Sequence, residues 1–378
     1  MHRRFFSIIT LSLLSASAIL AGCGDDGETT QGTGGSAGAS TDGTGGAGGQ
    51  GGGSGGSGGQ GGGAGGEGGA GGSGGQGGGS SAVPETIAGF DATKGEFVEG
   101  LDYHKGTAYV GVVFTGAVFT VDVATKMVKP FGNVPPYGQN EAAFVGIAVG
   151  PDGLLYGALN AFAPGPVTGI YQFPQNGGQA KLFATDLQMK FGNDIRFGAA
   201  GELYVSDSMA GVIWKISKDG LIVTKWAEDP LLAPDPTVCN VMTDFHLGIN
   251  GLVRSGDAFY ATNTDKASIV KIPVNADGSA GKPEIYLPTD CATLGGADGI
   301  AVDPDTSDLL VAANYKNTIL RIKSDKTITP IAQGAPLTSP ASLAIDTDHD
   351  ALLITSAAFE SVAMPASAKP ALHSLSLK

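Results

Sequence analysis

Positive charge is scarce in this chain of 378 residues: 22 Lys and Arg stand against 36 Asp and Glu, a formal net charge of −14. Such a balance repels a phosphate backbone, so nucleic acid is excluded as a ligand. Long apolar runs are scarce too. Residues 5–20 form one, which is too short for a stable membrane span, and no other stretch comes closer. Cysteine occurs three times, at Cys23, Cys239 and Cys291.

What the N-terminus does hold sets the compartment. Arg3 and Arg4 precede the apolar run, the charge-then-hydrophobe layout of a secretory signal. The run ends in Leu20-Ala21-Gly22-Cys23, which resembles the bacterial lipobox. That resemblance implies a signal peptide over 1–22, removed on export, and a lipid on Cys23. The protein is then expected on the periplasmic or cell-surface face of a bacterial membrane, touching lipid through its anchor only. With Cys23 lipidated, Cys239 and Cys291 remain, and an oxidising compartment favours their pairing. Residues 24–82 contain 32 glycines in 59 positions, interleaved with Ser, Ala, Gln and Thr. This stretch has almost nothing to bury and is expected to be a disordered tether, 23–82 in all, with a root-mean-square reach of about 40 Å. The match to a nucleophile elbow at Gly52-Gly53-Ser54-Gly55-Gly56, and the GxGxxG strings around it, neither follow a strand nor open a helix, so they carry no chemistry.

Residues 83–378 hold the globular part, and they repeat. Six times a short apolar strand opens a unit: FVEGLDY from Phe97, FVGIAV from Phe144, FGNDIRF from Phe191, GINGLV from Gly248, GADGIAV from Gly296 and PASLAI from Pro340. A second β-rich run follows each, from TAYVGVV at Thr107 to LLITSA at Leu352, and then a third, from AVFTVD at Ala117 to SVAMPA at Ser361. A more polar fourth run closes the unit, as IVTKWA from Ile222 and EIYLPT from Glu284 show. Equivalent first-strand positions fall at 99, 145, 193, 250, 298 and 341, giving periods of 46, 48, 57, 48 and 43 residues. Four strands per unit at that spacing predict an all-β, six-bladed β-propeller of four-stranded antiparallel blades. A β-sandwich does not repeat six times, and the turns of a β-helix are far shorter. No Trp-Asp dipeptide ends the strands, which disfavours the WD40 variety. ALHSLS from Ala371 is expected to close the ring on blade six, with residues 84–90 beside it.

Alignment of the first strands puts Glu99, Val145, Asn193, Asn250, Asp298 and Ala341 at one height. Innermost propeller strands surround the axis, so the four polar side chains converge near one mouth of the channel. Two carboxylates and two amides are all oxygen donors, a set for a hard cation such as Ca²⁺ rather than zinc. Asn193-Asp194, Asn250-Gly251 and Asp298-Gly299 also read as turn dipeptides. Against that, each blade has its hairpin turn several residues later, and Glu99 sits in an apolar strand where an unpartnered charge is costly.

Glu99-Gly100-Leu101-Asp102-Tyr103, GNDIRFGAAGELYVSDSMAGVIWKI from Gly192, GINGL from Gly248 and GGADGIAVD from Gly295 resemble the SMP-30/gluconolactonase/regucalcin family of calcium-dependent six-bladed propellers. The resemblance spans the globular part. It implies that Glu99, Asn193, Asn250 and Asp298 hold one calcium ion and that the protein is a monomeric hydrolase of a lactone or related ester. Asp298 is then a candidate base, and His246, four residues before Asn250, a candidate proton carrier. A loop histidine satisfied by backbone is the plainer account of His246. Leu101-Asp102-Tyr103 departs from the Trp-containing pattern usual in gluconolactonases, which bears on the substrate more than on the metal. The reading leans to an enzyme; the alternative is a non-catalytic surface propeller that binds a sugar, peptide or protein. His104 and His373 are expected at the surface. Asp346-Thr347-Asp348-His349-Asp350 copies the start of an EF-hand loop but lacks its later glycine and acid, so it is expected to be the blade-six turn.

Overall fold

A computed structural model describes residues 82–138, 140–239 and 245–378. Cys23, the signal and the tether lie outside the described residues. Among the described residues twenty-five short strands form six sheets. The first strand, β1 (Glu85–Gly89), stands apart from its successors. Blade one is β2 (Val98–His104), β3 (Thr107–Val112), β4 (Ala117–Asp122) and β5 (Met127–Asn133). Blade two is β6 (Ala142–Val149), β7 (Leu155–Ala161), β8 (Gly169–Gln172) and β10 (Lys181–Ala184); β9 (Gly178–Gln179) instead pairs in parallel with β5 and covers the outer edge of blade one. Blade three is β11 (Gly192–Phe197), β12 (Leu203–Asp207), β13 (Val212–Ile216) and β14 (Val223–Glu228). Blade four is β15 (Ile249–Ser255), β16 (Ala258–Asn263), β17 (Ser268–Pro273) and β18 (Glu284–Leu287). Blade five is β19 (Ala297–Val302), β20 (Leu309–Ala313), β21 (Thr318–Ile322) and β22 (Ile328–Gln333). Blade six is β23 (Pro340–Asp346), β24 (Ala351–Ser356) and β25 (Ala371–Ser376), with β1 as its outer strand.

The six-bladed propeller is therefore present, and the ring closes by pairing the first strand with the last. Blade six corrects the reading of SVAMPA as its third strand. Phe359–Ser361 and Pro365–Ser367 are 3-10 turns, because Pro365 has no N–H to give a ladder and its fixed φ suits the start of a helical turn. The third strand is β25, and this overturns the surface placement of His373. With β24 on one side and β1 on the other, His373 is buried; Thr86 Oγ1 and Ser356 Oγ lie 3.0 Å from its two ring nitrogens. Burial pushes its pKa down to about 4. Asp346 to Asp350 do form the turn between β23 and β24.

Packing between blades supplies the core. Each adjacent pair shares an apolar cluster, such as Ile195, Val205 and Trp214 with Tyr156 and Ile170 between blades two and three. Val98, Leu101 and Val110 of blade one meet Leu353 and Leu372 of blade six in the same way, with Ile87 of β1 among them. Alternation along each strand makes this possible, since one face of a blade meets the blade before and the other the blade after.

Candidate functional site

Every inner strand carries a β-bulge at the same place. Register shifts fall between Val98 and Leu101, Phe144 and Ile147, Gly192 and Ile195, Ile249 and Leu252, Ala297 and Ile300, and Pro340 and Leu343. The residues inside these shifts include all six aligned positions, and a bulge re-aims the side chain it carries. The Asn-Gly and Asp-Gly pairs are thus bulges within strands, not hairpin turns. Their glycines serve close approach: a Cβ on Gly251 would lie 2.4 Å from the Asp298 carbonyl oxygen, and one on Gly299 2.3 Å from that of Ala341. Gly100 and Gly146 face Val145 and Asn193 in the same manner.

A bulge leaves an N–H without a ladder partner, and in three blades a second-strand hydroxyl accepts it. Ser206 accepts from Asp194 N at 3.0 Å, Thr262 from Gly251 N at 2.9 Å and Thr355 from Ser342 N at 3.0 Å. Each hydroxyl then donates onward to the next blade, to the carbonyls of Asn250, Asp298 and Glu99 respectively. The backbones of the polar ring are in this way bonded blade to blade.

Just past the ends of the second strands β12, β16 and β20 sit Ser208, Thr264 and Asn314, which the sequence reading missed. Asn193 Nδ2 donates to Ser208 Oγ at 3.1 Å, Asn250 Nδ2 to Thr264 Oγ1 at 2.9 Å, and Asn314 Nδ2 to Asp298 Oδ2 at 3.1 Å. Thr264 spends its own proton on the Ala297 carbonyl at 2.8 Å. Only an amide nitrogen can therefore face it, and Asn250 must turn its oxygen away. Among the described residues no donor reaches Oδ1 of Asn193 or of Asn250. The signal was available: the second strands align as the first ones do, and LYVSDS, FYATNT and LLVAAN place a polar residue at one height in three consecutive blades.

Glu99 has no such support, because blade one offers Val113 at that height. It is 4% exposed, and its Oε2 is buried with no hydrogen-bond partner among the described residues. Burial, then the charges of Asp298 and Asp194, push its pKa well above the usual carboxylate range. Desolvation raises Asp298 to about 7, against the lowering effect of Asn314 and Asn250. Asp194 is itself paired with Arg196 at 2.8 Å and accepts from Leu252 N. Glu99, Asn193, Asn250 and Asp298 thus occupy the same bulge position on four inner strands, with Asp298 close enough to act on Glu99 and to be acted on by Asn250. Among the described residues no three His, Cys, Asp or Glu side chains gather as a metal cluster, so a cation here depends on the two amide oxygens. The donor set fits a hard cation: a buried carboxylate oxygen without a partner, a second desolvated carboxylate, and amides turned by their neighbours to leave oxygen free.

An apolar rim lies beside the ring. Val113, Ala143, Val145 and Phe191 form a buried cluster with Phe114, Phe162, Met209, Phe245, Leu247 and Phe359 packed on it. Phe162 stacks on Phe191 at 6.1 Å, and Phe245 meets Phe191 edge-on at 5.3 Å. Cys239, at the end of α1 (Pro236–Cys239), is bonded to Cys291, which ties the chain before β15 to the chain before β19. The pair stands at the same end of the blades as the polar ring. His246 Nδ1 is buried without a hydrogen bond among the described residues and lies 3.8 Å from Asp265 Oδ2. His104 is half-buried at the end of β2.

No protein-family model matches the chain, and no curated protein matches it in sequence. Its fold is that of the gluconolactonase- and regucalcin-like propellers. The calcium-binding protein regucalcin from Agrobacterium tumefaciens superposes with a TM-score of 0.56 at 18% identity, over 78% of this chain and 93% of that one. A gluconolactonase from Xanthomonas campestris gives 0.54 at 15% identity, over 78% and 89%. An auxiliary nutrient-binding protein from Bacteroides thetaiotaomicron gives 0.53 at 10% identity, over 77% and 69%. At these identities the likeness is one of fold, and the fold is shared by enzymes and binding proteins alike.

Proposed function

We propose that this protein is a calcium-dependent hydrolase of a lactone or related ester, displayed from a bacterial membrane by a lipid on Cys23 and the glycine-rich tether. The observation that carries the reading is the partnerless Oε2 of buried Glu99 beside the desolvated carboxyl of Asp298. Two acids in that position repel each other unless a cation or a proton intervenes. Glu99, Asn193, Asn250 and Asp298 would hold the ion, which when bound supplies a Lewis acid for a substrate carbonyl oxygen. Ser208, Thr264 and Asn314 orient the donors, and the hydroxyl links through Ser206, Thr262 and Thr355 keep the backbones of the ring in register, so little reorganisation accompanies binding. Asn314 and Asn250 also keep Asp298 oriented while it carries charge. The apolar rim excludes water from one side of the mouth and strengthens the electrostatics within.

A second reading, a binding propeller whose ion is purely structural, is favoured by the packing of Phe162, Phe191 and Phe245 beside the ring. Calorimetric titration of the metal-stripped protein with calcium tests the first step. Wild type is expected to bind one ion tightly, and Glu99→Gln and Asp298→Asn to lose it. A wild type that binds no calcium removes the hydrolase reading; one that binds the ion but turns over no member of a lactone and ester panel leaves the binding propeller.

A further inference from the structure

Asp265 is the most anomalous side chain in the described part of the molecule. It is 1% exposed, and neither carboxylate oxygen makes a well-formed hydrogen bond among the described residues, the backbone N–H groups of Leu247 and Asp235 being near enough only to favour its charge. Buried carboxylates are rarely left so, because each unmet oxygen carries its full desolvation cost. The group facing it is His246, whose Nδ1 is also buried and partnerless at 3.8 Å. That separation is beyond a hydrogen bond, but a small turn of the imidazole closes it, and such bonds are often long before a substrate is bound. The side chain of His246 is 34% exposed although its Nδ1 is not. Solvent therefore reaches the side chain at some place other than Nδ1.

Backbone bonds fix where this pair stands. Gly248 N donates to the Ser208 carbonyl at 2.8 Å, Thr264 N to the Gly248 carbonyl at 3.0 Å, and Asp265 N to the Leu247 carbonyl at 2.9 Å. Residues 246–248 thus run between Ser208, which holds Asn193, and Thr264, which holds Asn250. On either side of His246, Phe245 and Leu247 pack into the apolar rim. Burial, then the charges of Asp298 and Asp265, raise the pKa of the Tyr315 phenol, which places it near both acids. Asp235 also faces Asp265, its backbone N–H favouring the charge and its carboxylate, which accepts from Thr237, opposing it.

We infer that Asp265 and His246 form a dyad at the mouth, in which Asp265 accepts a hydrogen bond from Nδ1–H, holds the proton on that nitrogen and leaves Nε2 as the base that activates water. The inference rests on the hydrolase reading and replaces Asp298 as the base, since Asp298 is committed to Asn314, Asn250 and the ion. Nε2 takes a proton from water as the water oxygen bonds to the substrate carbonyl carbon, and the carbonyl π pair moves onto its oxygen. When that pair returns, the ester C–O bond breaks and Nε2 gives its proton to the departing alkoxide. Water is the only co-reactant, and nothing is oxidised or reduced. Asp265 is a positioning residue, setting tautomer and ring angle.

The tautomer can be read without any substrate. Long-range ¹H–¹⁵N spectra of the full-length protein, with His246 assigned among the five histidines by its loss in His246→Gln, are expected to show neutral His246 protonated on Nδ1. In Asp265→Asn an amide faces the ring and can donate to Nδ1, so the pattern should invert to protonation on Nε2. With p-nitrophenyl acetate as probe, Asp265→Asn is expected to lower kcat about a hundredfold at unchanged KM and unchanged calcium affinity. Wild-type His246 protonated on Nε2, or a pattern indifferent to Asp265→Asn, overturns the dyad. The wild-type spectrum decides even if the variant does not fold. If calcium binding fails while the tautomer is as expected, the hydrolase reading falls and the pairing stands.

Discussion

At the scale of single residues, the glycines of the bulges make the sharpest test of the ring. Gly299→Ala and Gly251→Ala each drive a methyl group into a neighbouring backbone carbonyl, and neither partner is a flexible side chain that can swing away. A loss of about 2 kcal/mol or more in denaturant unfolding is expected for each, against little change for Gly89→Ala, where nothing lies within 4 Å of the new Cβ. The ring acids give a pH dependence of definite sign. Desolvation lifts Asp298 from an ordinary value of 3.8 to about 7, so between those values the folded, cation-free protein binds more protons than the unfolded one. Its stability therefore falls as pH rises through that window. In the presence of EDTA, melting is expected at higher temperature at pH 5 than at pH 8, and calcium should raise the melting temperature more at pH 8. A cation-free melting temperature that rises from pH 5 to pH 8 would sink the assignment. Glu99, Asn193, Asn250 and Asp298 were legible because the repeat put them in one register. The tie between His246 and Asp265 was not, since these residues are 19 apart in sequence and meet only where one loop passes the end of β16.

Strands were read well where their neighbours are local and poorly where they are not. Blades one to five are built from consecutive segments, apart from the two-residue β9, and their alternation announces them. Blade six takes its third strand after two 3-10 turns and its fourth from the other end of the chain, so local pattern pointed to SVAMPA instead of β25. The closing strand β1 is correspondingly exposed to test. Ile87 is buried in the cluster between blades six and one, and Ile87→Asp puts an unpaired charge there. A destabilisation of about 3 kcal/mol is expected, with early hydrogen exchange at β25, which would then lose its cover. If exchange at β25 is unchanged, β1 is not what closes the ring.

For the whole molecule, the Cys239–Cys291 bond closes a segment with a sequence separation of 52 residues, containing all four strands of blade four. In the chain-entropy account such a loop is worth up to about 4 kcal/mol, so the double variant Cys239→Ser/Cys291→Ser should melt earlier, and reduction of wild type should reach the same value. Because the bond joins loops before two inner strands that carry ring residues, the variant is also expected to bind calcium more weakly in calorimetry. Equal affinity would mean that the bond stabilises the fold without shaping the site.

The sequence by itself determined the six-fold repeat, the strand faces and the height of the ring residues, because these follow from a period of two within strands and of about fifty between blades. Only the tertiary structure decided how the ring is held: which hydroxyls take the bulge N–H groups, why Asn250 must turn its oxygen from Thr264, that β1 buries His373, and that Asp265 meets His246. Each of these is a contact between segments far apart in the chain, and a periodic pattern records only which face a residue occupies, not which partner arrives there.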